Sequence, residues 1–428
     1  MQPWLVPTHR VQSALAGIAE FGVPAMQLKA LQIVFSLDVG GLERFVINLA
    51  HAFRPYKIEP FVFCLSHEGD LIRQLPADMT TYIGNHRPES KILDWQTLRQ
   101  IVRCIRDKAI DVIHAHSPKA YVYGALASLI TGRPLIISVH SPAHGPRRRK
   151  IFEDILLGRA HQIVSVSSEV TRKLCIERHV PRRKISTIKN GIDTETFHPI
   201  EPEEKASIRR TLGLPLDGFI FGTVGRVVPV KNYPLLVTAF SRLASTTDDT
   251  YLVIVGDGEQ AEELANLVRQ LKLSERVVLA GAQTNTLPWY HAFDSFVLSS
   301  MSEGTPLALL EAGACALPCV VTNVGGNIEV VKHHVNGLVV DSGHVESMYG
   351  ALNQIYKEPA LTAQMRREAR LNIQNNYSLT ASAREHLRIY QHCLGVTGLT
   401  NCRRGLRALR AAHAPHGTRI SSGDVSVE

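Results

Sequence analysis

Residues 299–329 read SSMSEGTPLALLEAGACALPCVVTNVGGNIE, and the reading of the chain starts here. An apolar strand over 295–298 runs into a Ser-Glu-Gly-Thr loop, which enters a helix at Pro306. Thr305 is expected as the N-cap and Pro306 at the first helical position, where its missing N–H costs nothing. A loop that delivers first-turn amides to an incoming helix favours an anion, since free N–H groups and the helix dipole act together. Glu303 lies on the loop and Glu311 inside the helix, among Leu307, Ala308, Leu309, Leu310, Ala312 and Ala314. A carboxylate on so apolar a helix calls for a partner or a ligand. The plainer alternative is an exposed Glu303 and a Glu311 satisfied by a neighbouring lysine or a backbone N–H.

Working outward, short apolar strands alternate with amphipathic helices on both sides of this stretch. LQIVFSL, FVFCL, a weaker strand near Tyr82, DVIHAH, LIISVH, QIVSVS and KISTI come first; FIFGTV, YLVIVG, RVVLAG, SFVLSS and GLVV follow later. That rhythm implies doubly wound parallel sheets. The turn Asn190-Gly191-Ile192-Asp193 precedes a Pro- and Glu-rich segment over 194–206, taken as the linker between two domains. The expected division is a disordered leader over 1–26, with Met26 as an alternative start, and a first Rossmann-like domain over 27–200. A second follows over 201–375, then a closing helix over 376–395 and a disordered basic tail over 396–428.

A chain of 428 residues with 45% apolar and 20% charged side chains suits two globular domains. No apolar run reaches the roughly 20 residues of a membrane span. Seven scattered cysteines suit thiols in a reducing compartment, and no Cys/His cluster has zinc spacing. No Asp-x-Asp pair occurs, which argues against a carboxylate-held metal. The +8 net charge is concentrated: residues 131–190 carry 13 Lys and Arg against 4 acids. This span is either a solvated face or a peripheral contact with an anionic membrane or lipid phosphate. Nucleic acid is disfavoured, because no aromatic or Gly-rich RNA motif is interleaved with the charges.

Polar residues recur at strand ends, where ligands of doubly wound sheets bind. Gly40 and Gly41 follow the first strand and let a backbone approach a phosphate closely. His116 and His140 end two strands of the first domain, and His114 shares a strand face with His116. Arg226 and Lys231, after the turn of Gly222 and Gly225, can neutralise a leaving pyrophosphate. Neither this turn nor Gly256-Asp257-Gly258 completes a dinucleotide fingerprint, which counts against an oxidoreductase.

Taken together, GGLE, the HAH and VH strand ends, NGID, GR-x4-KN, SEGTPLALLEA and VGG resemble glycosyltransferase family 4 over about 28–394. FSLDVGGLERFVINL is similar to bacterial exopolysaccharide sugar transferases. The resemblance implies a GT-B fold, two Rossmann-like domains facing a cleft. It also implies a retaining, metal-independent, cytoplasmic enzyme that moves a sugar from a nucleotide-sugar donor to a glycan or lipid-linked acceptor. Carried over by position, Glu311 holds the ribose, and Glu303 faces the sugar with the Gly304, Thr305, Pro306 and Leu307 backbone. Arg226 and Lys231 bind the diphosphate under Gly40 and Gly41. His116 sits near sugar and acceptor, with His140 a further candidate, and Ala282 and Gln283 meet the base. Two alternatives stand beside this: a sugar-nucleotide epimerase of the same fold, and a catalytically silent sugar-nucleotide-binding subunit.

Overall fold

The computed structural model describes residues 28–76, 78–87, 93–140 and 147–395. The expected leader and basic tail lie outside the described residues. Among these the chain forms two wholly parallel sheets. The first contains β1 (Leu28–Val34), β2 (Ile58–Cys64), β3 (Thr81–Ile83), β4 (Val112–Ala115), β5 (Leu135–Val139), β6 (Gln162–Ser165) and β7 (Ile185–Thr187). Its strand order is β3-β2-β1-β4-β5-β6-β7. The second contains β8 (Phe219–Val224), β9 (Thr250–Val255), β10 (Val277–Gly281), β11 (Ser295–Leu298), β12 (Cys319–Thr322) and β13 (Gly337–Val340), in the order β10-β9-β8-β11-β12-β13.

In each sheet the strand order reverses once, beside β1 in the first and beside β8 in the second. At such a reversal neighbouring loops diverge and leave a crevice beyond the carboxyl ends of the strands. The loops that carry Gly40, Arg226 and Glu303 follow β1, β8 and β11, so the topology sends all three to these crevices. The inner strands are almost wholly buried, as sheets covered by helices on both faces must be, while the edge strands β3, β7 and β10 are partly exposed.

Several expectations are corrected. The helix begins at Leu307 and ends at Ala314, with Pro306 as its N-cap residue. Thr305 does not cap it, because its hydroxyl donates across to Val166 O at 2.8 Å. The linker expected over 194–206 becomes helical at Pro202, which starts the helix Pro202–Leu212. The strand β12 is not among those expected: at four residues, Cys-Val-Val-Thr, it is too short to show a period of its own beside the apolar helix before it.

The chain crosses between the halves twice. Ile192 bridges to Ser378, and the closing helix Leu379–Cys393 packs back onto the helix Gly41–Phe53 of the first half. His386 and Tyr390 of the closing helix are completely buried there.

Candidate active site

A cleft of about 470 Å³ lies between the halves. Gly40, Gly41, Arg226, Lys231, Ala282, Gln283, Glu303, Gly304, Thr305, Pro306, Leu307 and Glu311 all line it. Of the residues singled out from sequence for a role in such a site, only His116 does not.

The floor is built by two interlocked loops. A Cβ at Gly304 would sit 2.1 Å from the carbonyl oxygen of His140, so only glycine lets the loop after β11 touch the first half this closely. Gly325 adopts a left-handed φ of +49°, and a Cβ there would meet the Glu303 carbonyl at 1.9 Å. Asn190 Nδ2 donates to Thr305 O at 2.9 Å, a second tie from the first half to the same loop.

Charge on the wall is arranged in pairs. Lys231 Nζ donates to Glu303 Oε1 at 2.6 Å, and Ser300 Oγ donates to the same oxygen at 2.6 Å. Ser299 Oγ holds the Lys231 carbonyl at 2.8 Å, which fixes the backbone that carries the ammonium. Glu311 is 3% exposed and accepts from Tyr290 Oη at 2.6 Å. Burial raises its carboxyl above the ordinary carboxylate value, against the opposing pull of Arg44 and the Tyr290 hydroxyl. The first-turn amides of Leu307 and Ala308 have no acceptor among the described residues, and both residues face the cleft. Cations, a helix N-terminus and a buried carboxylate thus converge on one space.

His116 belongs behind this wall. Alternation along β4 puts His114 and His116 on one face, and the closing helix covers that face. His116 Nε2 lies 2.7 Å from Gln32 Oε1, and its Nδ1 lies 3.3 Å from His140 Nε2. Gln32 Nε2 in turn donates to Tyr390 Oη at 3.1 Å. With its amide nitrogen so used, Gln32 offers its oxygen to His116 Nε2–H, which leaves His116 Nδ1 to accept from His140 Nε2–H. His140, not His116, is the histidine that lines the cleft. Burial holds both rings neutral, with His140 pushed down to about 3.

Arg44, Asn190 and Asp257 also line the cleft and were not singled out from sequence for it. Arg44 reaches across the gap, donating to Thr284 O at 2.8 Å. Its place as the fourth residue of the helix Gly41–Phe53, just after Gly40, was the one signal available. Asp257 lies in the strand-end turn Gly256-Asp257-Gly258, which from sequence only fails to complete a dinucleotide fingerprint. Among the described residues no group of three or more His, Cys, Asp or Glu gathers as a metal site.

Comparison with known proteins bears on this geometry. Residues 39–196 match the family model described as Glycosyltransferase Family 4, and residues 204–372 match Glycosyl transferases group 1. The UDP-Gal:alpha-D-GlcNAc-diphosphoundecaprenol alpha-1,3-galactosyltransferase of Escherichia coli is 31% identical over 303 residues, 68% of this chain and 77% of that one. The D-inositol 3-phosphate glycosyltransferase of Pseudarthrobacter chlorophenolicus is 28% identical over 376 residues, 81% of this chain and 89% of the relative. Among solved structures, Anabaena Alr3699/HepE in complex with UDP and glucose aligns with a TM-score of 0.76 at 22% identity, covering 85% of this chain and 100% of that one. With both halves matched in order and the same two-sheet architecture, the chain belongs to the family 4, group 1 glycosyltransferases and has their GT-B fold.

Proposed function

We propose that this enzyme transfers a sugar, with retention of its anomeric configuration, from a nucleotide-sugar donor to a glycan or lipid-linked acceptor in bacterial exopolysaccharide biosynthesis. The observation that carries the reading is the convergence of Arg226, Lys231, Glu303 and Glu311 with the Leu307 and Ala308 amides on one cleft wall. The relatives support it: the Anabaena protein holds UDP and glucose, and the E. coli protein is named for a UDP-galactose donor and a diphosphoundecaprenol-linked acceptor.

On this reading Glu311 accepts from the ribose hydroxyls, with Tyr290 fixing its orientation. Ala282 and Gln283 flank the base. Arg226, Lys231 and the backbone at Gly40 and Gly41 surround the diphosphate, and Glu303 with Gly304, Thr305, Pro306 and Leu307 faces the sugar. The bond from anomeric carbon to phosphate breaks through an oxocarbenium-like transition state, and the acceptor hydroxyl attacks the same face while its proton passes to the departing phosphate oxygen. Negative charge then grows on the departing diphosphate, where the cations and the helix N-terminus are already aimed, so catalysis is electrostatic and positional. Charge neutralisation falls to these side chains, with no metal required. The rings of His140 and His116 act as one neutral hydrogen-bonding unit beside the sugar, His140 making the contact.

The test is incubation with UDP-, GDP- and ADP-sugars, with and without a polyprenyl-diphosphate-linked acceptor. The expected result is nucleoside diphosphate release that depends on acceptor, with the donor's anomeric configuration kept in the product by NMR. Acceptor-independent release with an epimerised sugar overturns it in favour of an epimerase. Donor binding without turnover on a broad acceptor panel overturns it in favour of a silent binding subunit.

A further inference from the structure

Every group so far placed around the nucleoside belongs to the second half: Glu311, Tyr290, Ala282 and Gln283. A cation of the first half reaches the same region. Arg44, on the helix Gly41–Phe53, lines the cleft and is half-buried. Its Nη2 donates at 2.8 Å to the carbonyl oxygen of Thr284, the residue directly after Gln283. Its charge also acts on the Glu311 carboxyl and the Tyr290 hydroxyl, opposing the effect of burial on both. One guanidinium thus stands within reach of the carboxylate assigned to the ribose and of the loop assigned to the base.

The tie to Thr284 does not use Arg44 up, and the interface does not depend on it. Gln74, in the short turn Asp70–Gln74, donates through Nε2 to the same Thr284 oxygen at 3.2 Å. His51 Nε2, on the helix of Arg44, lies 2.8 Å from Gln74 O and steadies that turn. With Gln74 already on the carbonyl, the second bond fixes where the guanidinium points. A guanidinium carries several N–H donors in a planar fork. Beyond the bond to Thr284 O, those of Arg44 have no acceptor among the described residues.

A polar group on the same loop is also left over. Thr286 lines the cleft at 4% exposure, and its Oγ1 has no hydrogen-bond partner among the described residues. Thr286 precedes the helix Leu287–Ala292, yet its side chain makes no cap bond to it. A buried hydroxyl without a partner is costly, and a ligand that supplies one removes the cost. Spare donors on one side and an orphaned hydroxyl on the other suit a planar, heteroatom-rich guest, and a guanidinium both stacks on such rings and bonds to their edges.

We propose that Arg44 is a nucleoside-binding residue supplied by the first half, its fork anchored on Thr284 O and closed over the base and ribose of the donor. Donor affinity then depends on the approach of the two halves, because part of the nucleoside subsite arrives only with the first. The proposal deepens the nucleotide-sugar reading and rests on it.

Calorimetric titration of the full chain with UDP, GDP and ADP, then with the monophosphate of whichever base binds, tests it. R44A should weaken diphosphate and monophosphate alike, by roughly tenfold or more. R44K keeps the charge but not the fork, and should still bind roughly threefold or more below wild type. Q74A, which removes only the companion bond to Thr284 O, should stay within about twofold. Unchanged affinity in R44A, or full affinity in R44K, overturns the proposal. An equal loss in R44A and Q74A overturns it too, since the tie then acts by holding the halves together. A loss seen with the diphosphate and absent with the monophosphate moves Arg44 to the phosphates, which also overturns it. A wild-type chain that binds none of the three nucleotides ends this proposal and the nucleotide-sugar reading together. Wild-type binding with acceptor-dependent transfer, and R44A binding equally well, ends this proposal alone.

Discussion

Lys231 and Glu303 neutralise each other at the cleft wall, at 17% and 12% side-chain exposure, so neither charge can be removed without stranding the other. The Lys231→Ala variant should therefore fail in two separable ways. It loses a preorganised cation worth roughly 10²–10³-fold in kcat, about 3–4 kcal/mol, by comparison with a lost oxyanion donor. It also leaves a carboxylate short of its partner, costing about 1–3 kcal/mol of stability. Adding Glu303→Ala should restore the melting temperature but not turnover. Near-normal transfer by Lys231→Ala contradicts the assignment, and turnover that recovers with stability reduces the lysine to a scaffold role. These residues were legible in the sequence because each follows a strand end or opens a helix, so spacing alone placed them. Arg44 and His140 were less legible, because their position depends on how one half approaches the other. His116 was misplaced for the same reason: Gln32, Phe45 and His140, which surround it, come from other elements brought together only by the fold.

At the scale of elements, the site depends on loops touching with no side chain between them. Gly304 against the His140 carbonyl is the narrowest such contact between the halves. Gly304→Ala should push the loop after β11 away from the first half. Overpacking of this kind costs about 1–3 kcal/mol, and the displacement carries Glu303 and the Leu307 amide with it. Both the unfolding midpoint and kcat should fall, whereas Gly350→Ala, inside the helix Val345–Lys357 with nothing within 4 Å of its Cβ, should leave kcat unchanged and raise the midpoint slightly. An active, equally stable Gly304→Ala variant contradicts the interlock. The sequence pattern revealed the strand-loop-helix order and the start of this helix to within one residue. It did not reveal that Thr305 leaves its helix to bond Val166, since a hydroxyl's choice between a local cap and a distant carbonyl is made by tertiary approach.

For the whole molecule, alternating strands and helices disclosed two doubly wound units, but not where each sheet reverses or which half receives the closing helix. That docking gathers the buried His114, His116 and His386 with His140, which stays part-exposed at the cleft. Burial drives all four pKa values down, with His386 at about 4 and His140 at about 3. Unfolded histidines take up protons below about 6.5, while these do not, so the unfolded state binds more protons in that window. Stability should accordingly be flat above pH 7 and decline from about 6.5 downward, by up to ~1.4 kcal/mol per pH unit for each histidine. Urea unfolding at a series of pH values measures it, and a flat profile between pH 7 and 5 contradicts the buried cluster. The central claim is that one nucleotide diphosphate spans the cleft with its ribose on Glu311, and calorimetric titration with UDP, GDP and ADP tests it most directly. One of them should bind the wild-type chain, and Glu311→Ala should weaken that nucleotide at least tenfold, about 1.4 kcal/mol. Unchanged affinity in that variant would contradict the account.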